Sequence, residues 1–249
     1  MRGGLRIRMP YTLFISDLHL APDTPAANET LLKFLRDTAA SADALYVLGD
    51  LFEYWIGDDM LEDPFERNIA GAFRALVDSG VPVYFMHGNR DFLIGRRFAR
   101  ESGMKILRDP TLIDLYGSPT LLMHGDTLCT DDIEYLKFRK KARNPIAQWL
   151  FLAKSLAKRL QIARDLRGRS EQAKKAKEMV IMDVAPKAVE DTLRTHAYPR
   201  LIHGHTHRPA LHEHSLDGHV CERWVLADWY EHGSYLSCDA SGCKQQPLA

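Results

Sequence analysis

The stretch Tyr11-Thr12-Leu13-Phe14-Ile15-Ser16-Asp17-Leu18-His19 decides the fold class. A mostly apolar run ends in Asp17-x-His19, and side chains two residues apart on an extended chain leave by the same face. The pattern then repeats. Residues 44–48 run into Gly49-Asp50, 81–86 into His87-Gly88-Asn89, and 120–123 into His124-Gly125-Asp126. Residues 201–202 run into His203-Gly204-His205, with His207 two places on. Short continuous apolar runs read as strands buried on both faces. Between the first three lie residues 28–40 and 64–79, where apolar side chains recur at steps of three and four and predict helices. Strand–helix–strand alternation predicts an α/β fold with parallel pairing and right-handed crossovers. In an open sheet of that kind the carboxyl ends of the strands gather in one crevice. After about residue 208, Asp217-Gly218, His232-Gly233 and Ser241-Gly242 punctuate β-forming residues and predict a closing antiparallel stretch.

The chain has 249 residues, 45% apolar and 27% charged, which fits one large globular domain or a domain with an insertion. It excludes disordered, collagen-like and disulfide-dense classes. No run approaches the roughly 18–20 apolar residues of a membrane-spanning helix. The 33 basic and 33 acidic residues cancel overall but not locally. Residues 137–177 hold fourteen basic and two acidic side chains, leaving 19 basic against 31 acidic elsewhere. Such asymmetry points to an anionic ligand, a nucleic acid or a membrane surface. Within the basic segment, Trp149, Leu152, Leu156, Leu160 and Ala163 fall on one face, with Lys154, Lys158 and Arg159 off that stripe. One basic amphipathic helix is predicted over 145–168, started by Pro145 and stopped by Gly168. Cys129, Cys221, Cys238 and Cys243 show no metal-type spacing and read as free thiols of a reducing compartment. The basic opening leads into an apolar run interrupted by Asp17 and His19, unlike a secretory signal, and Met9 is an alternative start that makes residues 1–8 an extension.

A single Asp-x-His or His-x-His is usually coincidence, and an Asp after a strand is usually a helix cap. Seven ligand-type residues at five successive strand ends (Asp17, His19, Asp50, Asn89, His124, His205 and His207) are a far more specific signal. Nitrogen and carboxylate donors without thiolate suit manganese, iron, cobalt or zinc. Seven donors exceed one ion's needs and suit two ions sharing a carboxylate, for which Asp50, central in the order, is the choice. Two ions about 3.5–4 Å apart clamp the attacking and leaving oxygens of a displacement at phosphorus. Asp91 and Asp126 read as residues that orient ligands or cap helices.

Five blocks, Asp17-Leu18-His19, Gly49-Asp50-Leu51-Phe52-Glu53, Gly88-Asn89-Arg90-Asp91, His124-Gly125-Asp126 and Gly204-His205-Thr206-His207, together resemble the signature of the calcineurin-like metallophosphoesterases. The resemblance spans residues 17–207. It implies an α/β sandwich with Asp17, His19, Asp50 and His207 on one metal and Asp50, Asn89, His124 and His205 on the other. The stretches around Asp59, Asp132, Asn144-Pro145 and Asp183 make the chain similar to the UDP-2,3-diacylglucosamine pyrophosphatase family of lipid A biosynthesis. That similarity implies a core of 9–130 and 186–249 with a helical, lipid-accommodating cap inserted at 131–185. It also implies two Mn2+ ions bridged by Asp50, with metal-activated water attacking the α-phosphorus to give UMP and 2,3-diacylglucosamine 1-phosphate. By position, Asn89, Arg90, Asp132, Ser170, Lys174, Lys177 and His205 contact substrate. Arg90 stands where many relatives have His, and its fork suits phosphate oxygens better than proton donation. The apolar wall for acyl chains falls to Trp149, Phe151, Leu152, Leu156 and Leu160. The implied partners are the lipid nucleotide and an anionic membrane surface at the cytoplasmic face of a bacterial inner membrane, with no obligate protein partner. A phosphoesterase acting on nucleic acid is the competing reading, since a basic segment can follow a phosphate backbone. The insert's stripe is mainly aliphatic and lacks an aromatic ladder for stacking bases, so no nucleic-acid partner is expected.

Overall fold

The computed structural model describes residues 10–176, 183–230 and 233–248. Strands β1 (Thr12–Ile15), β2 (Ala44–Val47) and β3 (Val83–Met86) alternate with helices α1 (Pro25–Asp37) and α2 (Pro64–Asp78), as their periodicities predict. Helix α3 (Arg96–Ser102) leads to β4 (Lys105–Leu107), which pairs parallel with β3. Strands β5 (Thr111–Leu115) and β6 (Ser118–Leu122) then begin a second sheet as a hairpin. Helices α4 (Ile133–Ala142), α5 (Pro145–Leu152) and α6 (Leu156–Ala176) follow, then α7 (Pro186–Thr195) and β7 (Arg200–His203) parallel to β6. Strands β8 (Ala210–Leu216) and β9 (His219–Val225) form a hairpin through Asp217-Gly218, and β10 (Ser234–Asp239) and β11 (Gly242–Pro247) form another through Ser241.

The sheets run β11-β10-β1-β2-β3-β4 and β5-β6-β7-β9-β8. The parallel alternation does not continue into one open sheet, because the chain turns back at β5 and starts a second. Period-two alternation then sorts the layers. Phe14 of β1, Leu122 of β6 and Ile202 of β7 meet between the sheets with Leu48, Met86, Trp224 and Leu236. Leu13 and Ile15 face the opposite way, onto Leu31, Phe34, Leu35, Ile69 and Phe73 of α1 and α2. Leu121 and Leu201 face Val189 and Leu193 of α7. The result is a sandwich of two sheets flanked by helices, with the central strands β1, β2, β6 and β7 buried on both faces.

Two expectations are corrected. Cys238 and Cys243 form a disulfide rather than free thiols, because the β10–β11 register sets them directly opposite with Cα atoms 4.0 Å apart. Cys129 and Cys221 are free and buried. The single helix over 145–168 is also broken. Helix α5 ends near Ala153, and Ser155 caps the next turn, its Oγ accepting from the Lys158 amide at 3.4 Å. The break rotates the stripe. Leu156, Leu160 and Ala163 pack on the core below α1–α3, whereas Trp149 and Leu152 point to solvent. Arg159, expected off the stripe, is 4% exposed and reaches under α6 to Asp59 and the Ile56 carbonyl.

Candidate metal centre

Each predicted ligand sits just beyond a strand, where the backbone must turn sharply. Asp17, His19, Asp50, His205 and His207 all have positive φ, between 50° and 71°. Nine described non-glycine residues do so in all, and five of them belong to this one cluster. Left-handed backbone costs an ordinary residue roughly 1–2 kcal/mol, so surrounding structure must hold it. That structure is visible. Gly49 (φ 91°) lets the chain pass so close to its neighbour that a Cβ there would stand 2.5 Å from His124 Nδ1 and 2.6 Å from Gly88 Cα. At Gly204 a Cβ would collide with the Asp17 carboxylate and the Ser16 hydroxyl.

The side chains form two groups. Asp17, His19 and His207 are one, and Asp50, His124 and His205 the other; within each, the ligand atoms lie within 4.8 Å of one another. Asn89 joins the second, its Oδ1 3.0 Å from His124 Nε2 and 2.9 Å from His205 Nδ1. Asp50 connects them, with Oδ2 3.9 Å from both His19 Nε2 and His124 Nε2. Ligands from β1, β2 and β3 thus meet ligands from β6 and β7, across two sheets rather than along one edge.

Asp17 is fully buried. Its Oδ2 accepts from Ser16 Oγ and the His205 amide, but its Oδ1 has no hydrogen-bond partner and lies 3.4 Å from His207 Nε2. Burial pushes its pKa up, yet His207, His124 and His19 outweigh this and hold the carboxylate well below its usual range. His124 donates from Nδ1 to the Leu48 carbonyl at 2.9 Å, so Nε2 is the atom turned toward Asn89 and Asp50. Burial opposes charging His124, but Asp50, Asp126 and Asp17 raise its pKa to about 9. His205 moves the other way, to about 4, through burial and the neighbouring His124. Between His19 and His207, two Nε2 atoms face each other at 3.3 Å. Facing imidazole nitrogens, an unpartnered buried carboxylate oxygen and a nitrogen–oxygen donor set fit divalent cations.

Motif reading gave no role to two supporting residues, Glu53 and Tyr230, and left Asp91 and Asp126 between orienting ligands and capping helices. Glu53, only three places after Asp50, stands 3.1 Å from His19 Nδ1 and pairs with Arg90 Nη1 at 3.0 Å. Tyr230 stacks on the His19 ring at 5.6 Å and donates to the His19 carbonyl, a contact no local pattern announces. Asp91 binds the amides of Gly88 and Leu51, tying together the loops that carry Asn89 and Asp50. Burial, and then Asp50, raise its pKa to about 7. Asp126 orients no ligand histidine; it receives Tyr135 and Arg139 of α4. His203 stays in the core, Nδ1 on the Gly204 carbonyl and Nε2 3.1 Å from Arg223. Among the expected substrate contacts, Asp132 caps α4 by accepting from the Tyr135 amide. Ser170 and Lys174 lie on α6, their side chains outside what is described, and Lys177 lies outside the described residues.

Residues 11–209 match the calcineurin-like phosphoesterase family. The chain is 52% identical to a UDP-2,3-diacylglucosamine hydrolase of Edwardsiella ictaluri, over 93% of this chain and 89% of that one. It is 51% identical to a protein of that name in Stenotrophomonas maltophilia, over 96% and 98% respectively. A third, in Aeromonas salmonicida, is 54% identical over 91% and 89%.

Proposed function

The chain belongs to the calcineurin-like phosphoesterase family, and from that premise we propose that it hydrolyses UDP-2,3-diacylglucosamine to UMP and 2,3-diacylglucosamine 1-phosphate. The observation that carries the reading is the pair of ligand groups joined at Asp50 Oδ2, equidistant from a histidine of each. Asp17, His19, Asp50 and His207 would hold one divalent cation, and Asp50, Asn89, His124 and His205 the other. Manganese is the ion we assign, on the nitrogen–carboxylate donor set. When bound, such a pair polarises phosphoryl oxygens and lowers the pKa of water.

The chain's own groups do the rest. Arg90 is 27% exposed and held by Glu53, so its guanidinium is oriented before substrate arrives. A positioned guanidinium binds two phosphate oxygens at once and stabilises charge developing on them. The leaving group is itself a phosphate, which needs little protonation, and no general acid is required of Arg90. Residues 131–185 form the cap on a core of 9–130 and 186–249. On its helices Ile133, Phe138, Ile146, Trp149, Leu150, Leu152 and Leu166 are exposed among lysines and arginines. Apolar side chains take the acyl chains, and cations face the anionic surface that carries them. No described helix is long and apolar enough to cross a membrane. Peripheral association at the cytoplasmic face of the inner membrane completes the proposal.

Incubating the Mn-loaded protein with UDP-2,3-diacylglucosamine should release UMP. No release, together with hydrolysis of a generic phosphomonoester such as p-nitrophenyl phosphate, overturns the reading.

A further inference from the structure

The proposed substrate has two dissimilar halves. The cap's apolar surface accounts for the diacyl half but offers nothing specific to a nucleotide. A cavity of about 400 Å3 opens where the end of α4 meets the body, lined by His87, Ile106, Leu107, Arg108, Asp109 and Arg143. It adjoins the metal centre through the third ligand block. Arg143 Nη2 donates to the Gly88 carbonyl at 2.8 Å, one residue before Asn89, and His87 lies two residues before it. Two residues of chain span at most about 7 Å, within reach of a nucleoside attached to a phosphate at Asn89. The cap helices α5 and α6 meet a different loop, at Ile56 and Asp59, so the two features can receive opposite ends of one molecule.

The lining has the composition a nucleoside monophosphate needs. Arg108 and Arg143 are fixed cations, and Arg143 is further held 5.7 Å over the Phe92 ring. His87 donates from Nε2 to the Ile94 carbonyl at 2.7 Å. Ile106 and Leu107 supply an apolar wall. Both belong to β4, the last strand of its sheet, so one rim of its backbone N–H and C=O groups faces away from β3. A pyrimidine imide carries matching donors and acceptors. Asp109 lies beneath, its two carboxylate oxygens buried and without hydrogen-bond partners, with Arg139 Nη2 3.7 Å from Oδ2. The volume falls in the range of small-molecule sites, about 300–1,000 Å3.

We propose that this cavity, between the β4 edge and the end of α4, is the subsite for the uridylyl half of the substrate and for UMP as product. The proposal rests on the hydrolase reading above, and its test separates the two. Arg108 is exposed and Ile106 is 37% exposed, so changes there leave folding intact. The experiment measures UMP binding to the Mn-loaded protein by calorimetry, and inhibition of turnover by each product. Arg108→Glu and Ile106→Glu should each weaken UMP binding about tenfold, the scale of one charge-assisted contact, and raise KM with kcat within twofold. Inhibition by 2,3-diacylglucosamine 1-phosphate should be unchanged in both. Trp149→Ser should do the reverse, weakening the lipid product and sparing UMP. If both β4 variants bind UMP as tightly as the unaltered chain, the subsite is overturned even where the lipid nucleotide is turned over. If the unaltered chain binds UMP and the β4 variants do not, yet no lipid nucleotide is hydrolysed, the subsite stands and the substrate reading fails.

Discussion

The two-sheet body and the inserted helices α4–α6 are built on opposite plans. In the body, β1 is buried along its whole length and the ligands Asp17, His19, Asp50 and His124 are at most 3% exposed. In the insert, α4 and α5 bury no residue at all. Large apolar side chains there face outward, with Ile146 and Trp149 each 69% exposed. The insert is fastened mainly by ions and hydrogen bonds: Asp126 to Tyr135 and Arg139, Arg143 to Gly88, and Arg159 to Asp59. Apolar packing from Phe151, Leu156, Leu160 and Ala163 supplements them. Strained ligand loops survive only inside a rigid, close-packed frame, whereas the insert leaves its large apolar groups outside any core of its own, as the proposed acyl-chain surface requires.

The largest test of this contrast is Asp50→Ala. It removes the carboxylate shared by both groups, so turnover should fall at least about a thousandfold and metal content, read by mass spectrometry, should fall with it. Retained activity would refute the shared carboxylate. Arg90→Ala should lower kcat/KM about a hundredfold through lost charge stabilisation while bound metal is unchanged, which separates substrate binding from metal binding within the body. Arg159→Leu removes the buried latch between α6 and the Ile56–Asp59 loop. Turnover of the diacyl substrate should drop about tenfold and proteolysis within 137–177 should accelerate, with the main melting transition preserved. A collapse of that transition would show the insert to be part of the body's cooperative unit.

The smallest effect lies inside the body, at Glu66 on α2. It is 6% exposed with Oε2 unpartnered, and burial, followed by the neighbouring Asp63, raises its pKa to about 7. A carboxyl whose folded pKa is raised favours the fold only while protonated. Its contribution is complete below about pH 4.5 and is lost as pH climbs through 7. Glu66→Gln should therefore raise Tm by about 3 °C at pH 8 and leave it unchanged at pH 4.5, measured by scanning calorimetry. An equal gain at both pH values would exclude titration as the cause.

Much of the body was legible because its signals are local. Short apolar runs, of two residues before β7's ligands and four to six elsewhere, locate β1, β2, β3, β6 and β7, and a ligand candidate follows each within three residues. The insert was only half legible. Helical periodicity over 145–168 is real, but a serine cap at 155 outweighs continuity, and the stripe divides between core and solvent. Arg159 reads as a surface lysine-like residue until its partner, a hundred positions away, is placed beneath it. Glu53 and Tyr230 escape for the same reason: their role is contact with His19, and contact is not a property of spacing.

The amino-acid sequence alone determined the strand–helix alternation, the seven ligand-type residues and the charge split between body and insert, since each follows from periodicity, residue chemistry or counting along the chain. Only tertiary structure decided that the ligands arrive from two sheets rather than along the edge of one. It also decided that Cys238 meets Cys243 and that Arg159 is a buried latch. These depend on strand register and on distances between residues remote in the chain, which close packing sets and linear order does not.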